Sequence, residues 1–199
     1  MIIGISGKMG SGKDTVGKLI QELRPQYKFS NKKFAAKVKQ CASLILNVPI
    51  EEFENQQFKT KFLSPEWCYD KVYLDEESKV IEYHKEDMSI RTFLQLFSTD
   101  ACRNNVHENF WVNALFADYK DDDNWIITDV RFLNEVYKIG EKFNSFTVRV
   151  NRDGLEKPYK EHRSEKELDN YDFHYVIDNN GTLEELREKV EALLKWWEI

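Results

Sequence analysis

The sequence is poor in cysteine, proline and glycine, and it contains no long hydrophobic run. Its 199 residues include three cysteines, four prolines and eight glycines. Cys41, Cys68 and Cys102 match neither a disulfide framework nor a metal-ligand spacing, which predicts a reducing compartment. The apolar run at the N-terminus is too short for a signal peptide, and none approaches the length of a membrane span. We therefore expect a cytoplasmic protein that does not enter a membrane.

Basic residues are also scarce relative to acidic ones. The chain has 29 lysines and arginines against 35 aspartates and glutamates, a net charge of −6. Because a protein that binds nucleic-acid polymers needs a basic surface, this balance argues against such a partner. It leaves room for a local basic pocket that binds a single nucleotide. A hydrophobic content of 41% with 32% charged residues is typical of a soluble globular chain, and the length suits one domain.

Three of the few glycines lie together in residues 7–15, Gly-Lys-Met-Gly-Ser-Gly-Lys-Asp-Thr. This segment follows an apolar run that predicts a strand (residues 1–6) and precedes apolar residues at helical spacing (residues 16–23). Strand, glycine-rich turn and helix form the context of a phosphate-binding P-loop. Backbone amides at the helix start attract phosphate, and Lys13 would reach the β- and γ-phosphates. The predicted phosphate-binding residues are Lys8, Met9, Gly10, Ser11, Gly12, Lys13, Asp14 and Thr15.

Position 14 departs from the P-loop pattern, in which Ser or Thr follows Gly-Lys and its hydroxyl ligates Mg²⁺. In this chain Asp14 follows, and Thr15 comes next. In one interpretation Asp14, Thr15 or both coordinate the metal, directly or through water. In the other, Asp14 is a favourable anion in the first turn of a helix. The sequence leaves both interpretations open.

Strands and helices alternate along the rest of the chain. This alternation predicts an α/β fold with three layers, in which helices flank a mostly parallel, doubly wound sheet. Residues 50–90 are the least regular segment. The predicted strands are 27–29, 80–83, 125–128, 146–150 and 175–178, and the predicted helices are 33–46, one that Ser89 caps, 110–116, 135–143 and 182–196.

Asp129 directly follows the buried strand predicted at 125–128. In open α/β sheets ligands bind at the carboxyl ends of the strands, and a carboxylate there beside a P-loop is the Walker B arrangement that holds Mg²⁺. The alternative is an aspartate that caps a loop. Arg131 lies two residues further on and is well placed to meet a phosphate.

Further polar residues lie on a predicted helix and in a predicted loop. Arg91 and Gln95 are four residues apart, hence on one helical face. Arginine grips phosphate bidentately and glutamine can both donate to and accept from a base edge, although a solvated helix face would have the same pattern. Arg149 and Arg152 are followed by a loop, residues 153–163, that contains Gly154 and Pro158. Together they predict a mobile lid over about residues 150–165.

Several motifs occur in one order along the chain. They are residues 7–15, Phe34-Ala35 with Lys39, Arg91 with Leu94-Gln95, Thr99-Asp100 with Arg103, Trp111-Val112, residues 129–132 with Asn134-Glu135, His162, and Ser164-Glu165. Together they resemble the deoxynucleoside monophosphate kinases known from bacteriophages. The tail, residues 176–186, is similar to the last strand and turn of dephospho-coenzyme A kinase, where the turn lies against the ATP adenine. The match is poorest over residues 50–88.

The resemblance implies a P-loop kinase fold that transfers the γ-phosphate of ATP, with Mg²⁺, to a deoxynucleoside monophosphate. It implies one domain over residues 1–199, with an acceptor-side insertion at about 48–90 and the lid at about 150–165. The resemblance is compatible with a monomer or a homodimer. If a phage encodes the protein, we expect it in the host cytoplasm.

The resemblance also implies roles for particular residues. Residues 8–15 with Asn180 and Gly181 would bind ATP, and Asp14, Thr15 and Asp129 would share the metal. The implied catalytic residues are Lys13, Arg131, Arg149 and Arg152. The implied acceptor-binding residues are Lys39, Arg91, Gln95, Arg103, Trp111, Asp129, Arg131 and Glu135.

Two other functions fit part of the sequence. A related small-molecule kinase, with dephospho-coenzyme A or phosphomevalonate as acceptor, would share the P-loop and the final turn. A nucleotide-binding switch that hydrolyses ATP slowly would need no second phosphate site, so the surplus of arginines argues against it. The sequence does not specify the accepted bases, the sugar preference or the oligomeric state.

Overall fold

In a computed structural model of the chain, residues 1–74, 79–155 and 166–199 are described. The contacts divide the chain into two compact units, residues 1–36 with 111–199 and residues 37–110. The predicted insertion at 48–90 falls inside the second unit, and its boundaries stay a prediction. Most of the predicted lid, including His162, lies outside the described residues.

Strands and helices alternate along part of the chain, and in places two helices or two strands follow each other. In sequence they are β1 (Ile2–Ser6), α1 (Lys13–Leu23), β2 (Ser30–Lys32), α2 (Phe34–Leu46), α3 (Gln56–Lys59), β3 (Tyr69–Leu74), β4 (Val80–Glu86), α4 (Ile90–Gln95), α5 (Phe110–Phe116), β5 (Trp125–Val130), α6 (Leu133–Gly140), β6 (Ser145–Asn151), β7 (Tyr175–Asp178) and α7 (Leu183–Trp196). Short 3₁₀ turns occupy Pro25–Tyr27, Ile50–Glu54 and Pro65–Trp67, and a π-helical stretch, Leu96–Asn104, continues α4.

A five-stranded parallel sheet forms the centre of the first unit. The strand order is β2-β5-β1-β6-β7, so β1 lies between two strands from the second half of the chain. Ile2 of β1 is opposite Trp125 of β5 on one side and Ser145 of β6 on the other. The P-loop therefore leaves the sheet from its central strand.

Helices cover both faces of this sheet, because its strands are apolar on both sides. Ile3 of β1 packs in a buried cluster with Val16 of α1 and Val190 of α7. Ile2 belongs to the opposite cluster, with Ile139 of α6. The three layers confirm the predicted α/β architecture, a mostly parallel sheet flanked by helices.

The second unit has a core and a sheet of its own. Ala42, Phe53, Ile90 and Phe93 form its buried cluster. Strands β3 and β4 pair as an antiparallel hairpin, which confirms the strand predicted at 80–83 and extends it to Glu86.

Other local predictions differ from the structure at their boundaries. The predicted strand at 27–29 is wrong, because Pro25 fixes the φ angle of the 3₁₀ turn that starts there and Lys28 has a left-handed φ of 50°. The strand forms later, at Ser30–Lys32. The helix predicted at 135–143 begins at Leu133 and ends at Gly140. Across the described ranges no helix combines the length and hydropathy that a membrane span requires.

Candidate functional site

The turn between β1 and α1 requires glycine at its last position. Gly12 is the N-cap of α1 and has a left-handed φ of 100°. A Cβ atom at this position would lie 2.4 Å from Nδ2 of Asn179. Both the backbone angle and the close approach therefore disfavour any other residue at position 12, and the loop takes the form that the P-loop pattern predicts.

Polar groups in this turn point toward its interior. The Lys13 ammonium donates to the Lys8 carbonyl at 2.7 Å, and the Ser11 amide donates to the same oxygen at 3.2 Å. The Ser11 hydroxyl is fully buried and has no hydrogen-bond partner among the described residues. Because buried polar groups are nearly always hydrogen-bonded, an unpaired hydroxyl in a P-loop fits a phosphate oxygen as its partner.

Burial lowers the pKa of Lys13 to about 8, and the positive charges of Arg131 and Arg149 add to the effect. The carboxylates of Asp14 and Asp129 oppose it. These five charged side chains are therefore close enough to influence one another. A bound polyphosphate would favour the charged form of Lys13, since an opposite charge nearby raises the pKa of a lysine.

Asp14 lies at the start of α1 and contacts β5. Its Oδ1 atom accepts a hydrogen bond from the Thr128 hydroxyl at 2.7 Å and pairs with the Lys33 ammonium at 2.8 Å. Gly17 allows this approach, because a Cβ there would lie 2.8 Å from Cγ2 of Thr128. Burial alone would raise the pKa of Asp14, but the contacts with Lys33 and Thr128 outweigh it and hold the pKa below its usual value. Asp14 is therefore ionised at neutral pH.

Asp129 caps a helix in this structure. Its Oδ1 accepts from the amide of Phe34 and its Oδ2 from the amide of Ala35, both at 2.9 Å, at the N-terminus of α2. Burial raises the pKa of this carboxyl, while the two amides and the charge of Arg131 oppose the rise. Both oxygens of Asp129 thus accept hydrogen bonds at the start of α2. The roles of Asp129 toward the metal and the acceptor stay predictions.

Arg149 connects the end of β6 to the P-loop. One terminal nitrogen donates to the Ser6 hydroxyl at 3.1 Å, and the other pairs with Oδ1 of Asp169 at 2.8 Å. The Lys8 ammonium pairs with Oδ2 of the same aspartate at 2.9 Å. These groups border a small pocket lined by Ser6, Gly7, Lys8, Val130, Arg131, Arg149 and Leu168.

The turn after β7 reaches the P-loop through Asn179. Its side-chain amide donates to the Ser11 carbonyl at 2.8 Å. Asn180 instead exchanges two hydrogen bonds with Asp153, from the Asp153 amide at 2.8 Å and to the Asp153 carboxylate at 2.6 Å. The contact between this turn and the loop is thus made by the residue before the predicted pair, Asn180 and Gly181.

Comparison with known proteins identifies the family. A family model described as deoxynucleotide monophosphate kinase matches residues 53–190. This chain belongs to that family. The predicted resemblance to phage-type deoxynucleotide monophosphate kinases is therefore confirmed, and with it the P-loop kinase fold and the class of enzyme, a phosphotransferase.

Three phage proteins are similar to this kinase. It is 33% identical over 175 residues to the deoxynucleoside-5′-monophosphate kinase of Escherichia phage T5, covering 68% of this chain and 70% of that protein. It is 31% identical over 112 residues to the deoxynucleotide monophosphate kinase of Escherichia phage RB69, with 54% and 45% covered. The deoxynucleotide monophosphate kinase of Enterobacteria phage T4 is 30% identical over 129 residues, with 62% and 53% covered. The chain thus spans about half the length of the RB69 and T4 relatives.

Four predicted acceptor residues of the kinase lie in the second unit: Lys39, Arg91, Gln95 and Arg103. Lys39 pairs with Glu54 at 2.5 Å, and Arg91 donates to the side chain of Gln56 at 3.1 Å. Arg91 and Gln95 are exposed on α4, which Ser89 caps as predicted. Their roles toward the acceptor stay predictions.

The remaining predicted residues of the kinase lie in the first unit. Trp111 and Glu135 are buried, Thr15 is half-buried, and Met9 and Arg152 are exposed. Oε2 of Glu135 accepts from the amides of Arg131 at 2.7 Å and Phe132 at 3.1 Å. Glu135 therefore stabilises the backbone turn that carries Arg131. Its predicted role in binding the acceptor stays a prediction.

The sequence interpretation missed four residues that complete this site. Lys33, Thr128, Asp169 and Asn179 each contact a predicted site residue. Lys33, Thr128 and Asn179 directly adjoin motifs that the sequence shows, which is a usable signal. No sequence motif adjoins Asp169, so its contacts with Lys8 and Arg149 become visible only in the folded structure.

Proposed function

We propose that this kinase transfers the γ-phosphoryl group of ATP to a deoxynucleoside 5′-monophosphate and releases the diphosphate. One observation carries the proposal: Lys13 of the P-loop has a buried ammonium, and Arg131 and Arg149 are close enough to lower its pKa further. This collection of cations suits the phosphates of two nucleotides. The relatives' names supply the acceptor class, deoxynucleoside monophosphates.

Phosphoryl transfer requires positioning and charge neutralisation more than covalent chemistry. The amides of the loop and Lys13 would bind the donor phosphates. Arg131 and Arg149 would stabilise the negative charge that develops on the transferred group, and we assign Arg152 to the same task. No strong general base is required, because the acceptor phosphate is already an anion.

A magnesium ion fits the start of α1. Mg²⁺ in such sites takes one or two carboxylates together with substrate phosphates and water. Asp14 is ionised, 58% of its side chain is exposed, and Thr15 follows it. We propose that Asp14 and Thr15 hold the ion and that Asp129 contributes through water. Bound there, the ion would neutralise charge on the β- and γ-phosphates.

The acceptor requires cations for its phosphate and other side chains for its nucleoside. We propose that Arg91 and Arg103 bind the phosphate, since guanidinium groups match the geometry of phosphate oxygens, and that the Lys39 ammonium adds a point charge. Gln95 and Trp111 would contact the nucleoside. The turn at Asn180 and Gly181 would lie near the adenine of ATP.

The proposed function is tested by measuring ADP release with a panel of acceptors. With ATP and Mg²⁺, we expect deoxynucleoside monophosphates to give a kcat of about 1–100 s⁻¹, the range of kinases. Dephospho-coenzyme A and phosphomevalonate should leave ADP release at the background rate without acceptor. ADP formed equally fast with no acceptor, or faster with either of those two compounds, would contradict the proposal.

ATP binding is expected to weaken as the pH rises above 8. Lys13 has a pKa of about 8 in the free protein, and the nucleotide binds its charged form. Below that pH the ammonium is already present, so the affinity is full. Above it, each pH unit should cost up to about tenfold in Kd. Isothermal titration calorimetry between about pH 7.5 and 9.5, in buffers with different ionisation enthalpies, measures both the affinity and the proton uptake.

Lys13→Arg provides the control for this measurement, because arginine keeps its charge throughout the range. Its ATP affinity is expected to be lower than wild type but independent of pH. A wild-type affinity that does not change over that pH range, with no proton uptake, would show that Lys13 does not titrate against the nucleotide.

A further inference from the structure

We propose that Asp169 is a positioning residue that fixes the Arg149 guanidinium at the P-loop for phosphoryl transfer. The inference rests on the proposed function, because that function gives Arg149 its task. The inference adds to the proposed site a carboxylate from the segment that follows the predicted lid.

The contacts of Asp169 divide between two cations. Oδ1 pairs with Arg149 at 2.8 Å, and Oδ2 pairs with Lys8, a residue of the P-loop, at 2.9 Å. The opposite terminal nitrogen of Arg149 donates to the hydroxyl of Ser6, the last residue of β1. The guanidinium is thus held from two sides, and only 14% of the Arg149 side chain is exposed.

The backbone of Asp169 is fixed independently of Arg149. The preceding residue, Leu168, is 3% exposed and belongs to the core cluster on the α6 face of the sheet. Glu167 accepts a hydrogen bond from the amide of Leu133, the first residue of α6, at 3.0 Å. The Asp169 amide closes a turn onto the Lys166 carbonyl at 2.9 Å. The position of the Asp169 backbone therefore depends on contacts that involve neither ion pair.

Anchoring matters because an arginine side chain has many rotamers. Ordering such a long side chain costs conformational entropy. A charge stabilises a transition state best when it is oriented before the reaction. Without Asp169, the hydrogen bond to Ser6 and the Phe173 ring, 5.8 Å from Cζ, would still contact Arg149 on one side, but the guanidinium would lose its partner on the other and could shift.

Asp169→Ala is expected to lower kcat for a deoxynucleoside monophosphate by about 30–100-fold, because misplacement by about 1 Å can cost that much. The KM for ATP should change by less than about threefold, since the P-loop amides and Lys13 remain. Asp169→Asn should recover part of the loss, because its side-chain oxygen still accepts a hydrogen bond from Arg149. Asp172→Asn removes an exposed carboxylate three residues further on and should stay near wild type. Circular dichroism and Tm establish that each variant is folded.

A double-mutant cycle separates positioning from a structural role. If Asp169 acts through Arg149, then Asp169→Ala adds no further loss of kcat in an Arg149→Ala background. In a Lys8→Ala background it should still cost most of its original factor. The same loss in the Arg149→Ala background as in wild type would overturn the inference, and so would a kcat of both Asp169 variants within twofold of wild type.

The wild-type enzyme in the same assay distinguishes this failure from that of the proposed function. A wild type that phosphorylates no deoxynucleoside monophosphate overturns the proposed function, and with it the task that Asp169 would serve. An active wild type with either of the overturning results above removes the role of Asp169 alone.

Discussion

Replacing Lys13 with methionine is expected to abolish phosphoryl transfer and, at the same time, to stabilise the unliganded protein. Lys13 is only 9% exposed, and burial lowers its pKa from 10.5 to about 8. Burial is the largest cause, and the charges of Arg131 and Arg149 add to it, so the change corresponds to about 3 kcal/mol of destabilisation at neutral pH. Methionine has a similar volume and no charge, although it loses the bond to the Lys8 carbonyl. We expect a net gain of about 1–2 kcal/mol and a Tm higher by about 2–8 °C.

The loss of activity follows from the same ammonium. Lys13 is the cation in the turn that would bind the donor phosphates, and a single such group is worth about 10²–10³ in kcat or more. ATP should also cease to raise the Tm, since binding to the folded state is what stabilises it. Steady-state kinetics and thermal unfolding with and without ATP measure both effects.

Lys18→Met is the matched control, because Lys18 is an exposed residue of the same helix. It should leave kcat and Tm close to wild type. Retained turnover in Lys13→Met would remove the P-loop lysine from the mechanism. A Lys13→Met protein that unfolds at a lower temperature than wild type would show that the buried ammonium stabilises the free protein.

Gly12→Ala is expected to have the second large effect, on stability and on nucleotide binding together. An alanine at a left-handed φ of 100° costs about 1–2 kcal/mol. Its Cβ atom would also lie 2.4 Å from Nδ2 of Asn179, so the bond from Asn179 to the Ser11 carbonyl must break. We expect a total loss of about 2–4 kcal/mol in the free energy of unfolding and about tenfold weaker ATP binding. Denaturant titration and calorimetry measure the two quantities.

Two further variants separate the backbone cost from the collision. Asn179→Ala removes the atom with which the new Cβ collides, so Gly12→Ala combined with Asn179→Ala should recover part of the stability. Gly140→Ala is the control at the end of α6, where a Cβ would meet nothing within 4 Å. It should be neutral or stabilising. A Gly12→Ala protein as stable as the Gly140→Ala protein would show that the P-loop tolerates a Cβ atom at position 12.

The parts of the structure that the sequence predicted are those encoded within a few residues. The P-loop is a contiguous segment whose flanking apolar runs give the strand and the helix. The helix predicted at 182–196 is equally local, because a capping box starts it: the Thr182 hydroxyl accepts from the Glu185 amide at 3.2 Å, and the Glu185 carboxylate accepts from the Thr182 amide at 2.9 Å. Such features need no knowledge of the fold, because both partners are visible in one window of sequence.

The parts that could not be predicted depend on residues far apart in the chain. Asp169 pairs with Lys8, 161 residues away, and no spacing in the sequence connects the two. The strand predicted at 125–128 continues to Val130 and so includes Asp129. The amides that donate to both oxygens of Asp129 belong to a helix 94 and 95 residues earlier. A local sequence pattern can indicate that a carboxylate binds something, but it does not show whether the partner is a metal ion, an amide or a cation, because that depends on the fold.

The central position of β1 also has a consequence for how the molecule is made. Ile2 pairs with Trp125, and its neighbour on the other side is Ser145. At about 5–20 residues per second, a ribosome needs on the order of ten seconds to deliver those partners. The hairpin of β3 and β4, whose strands are separated by a short connection, is complete long before then. Strand β1 therefore waits for its neighbours, exposed to chaperones and proteases, until residues 125–151 have been translated.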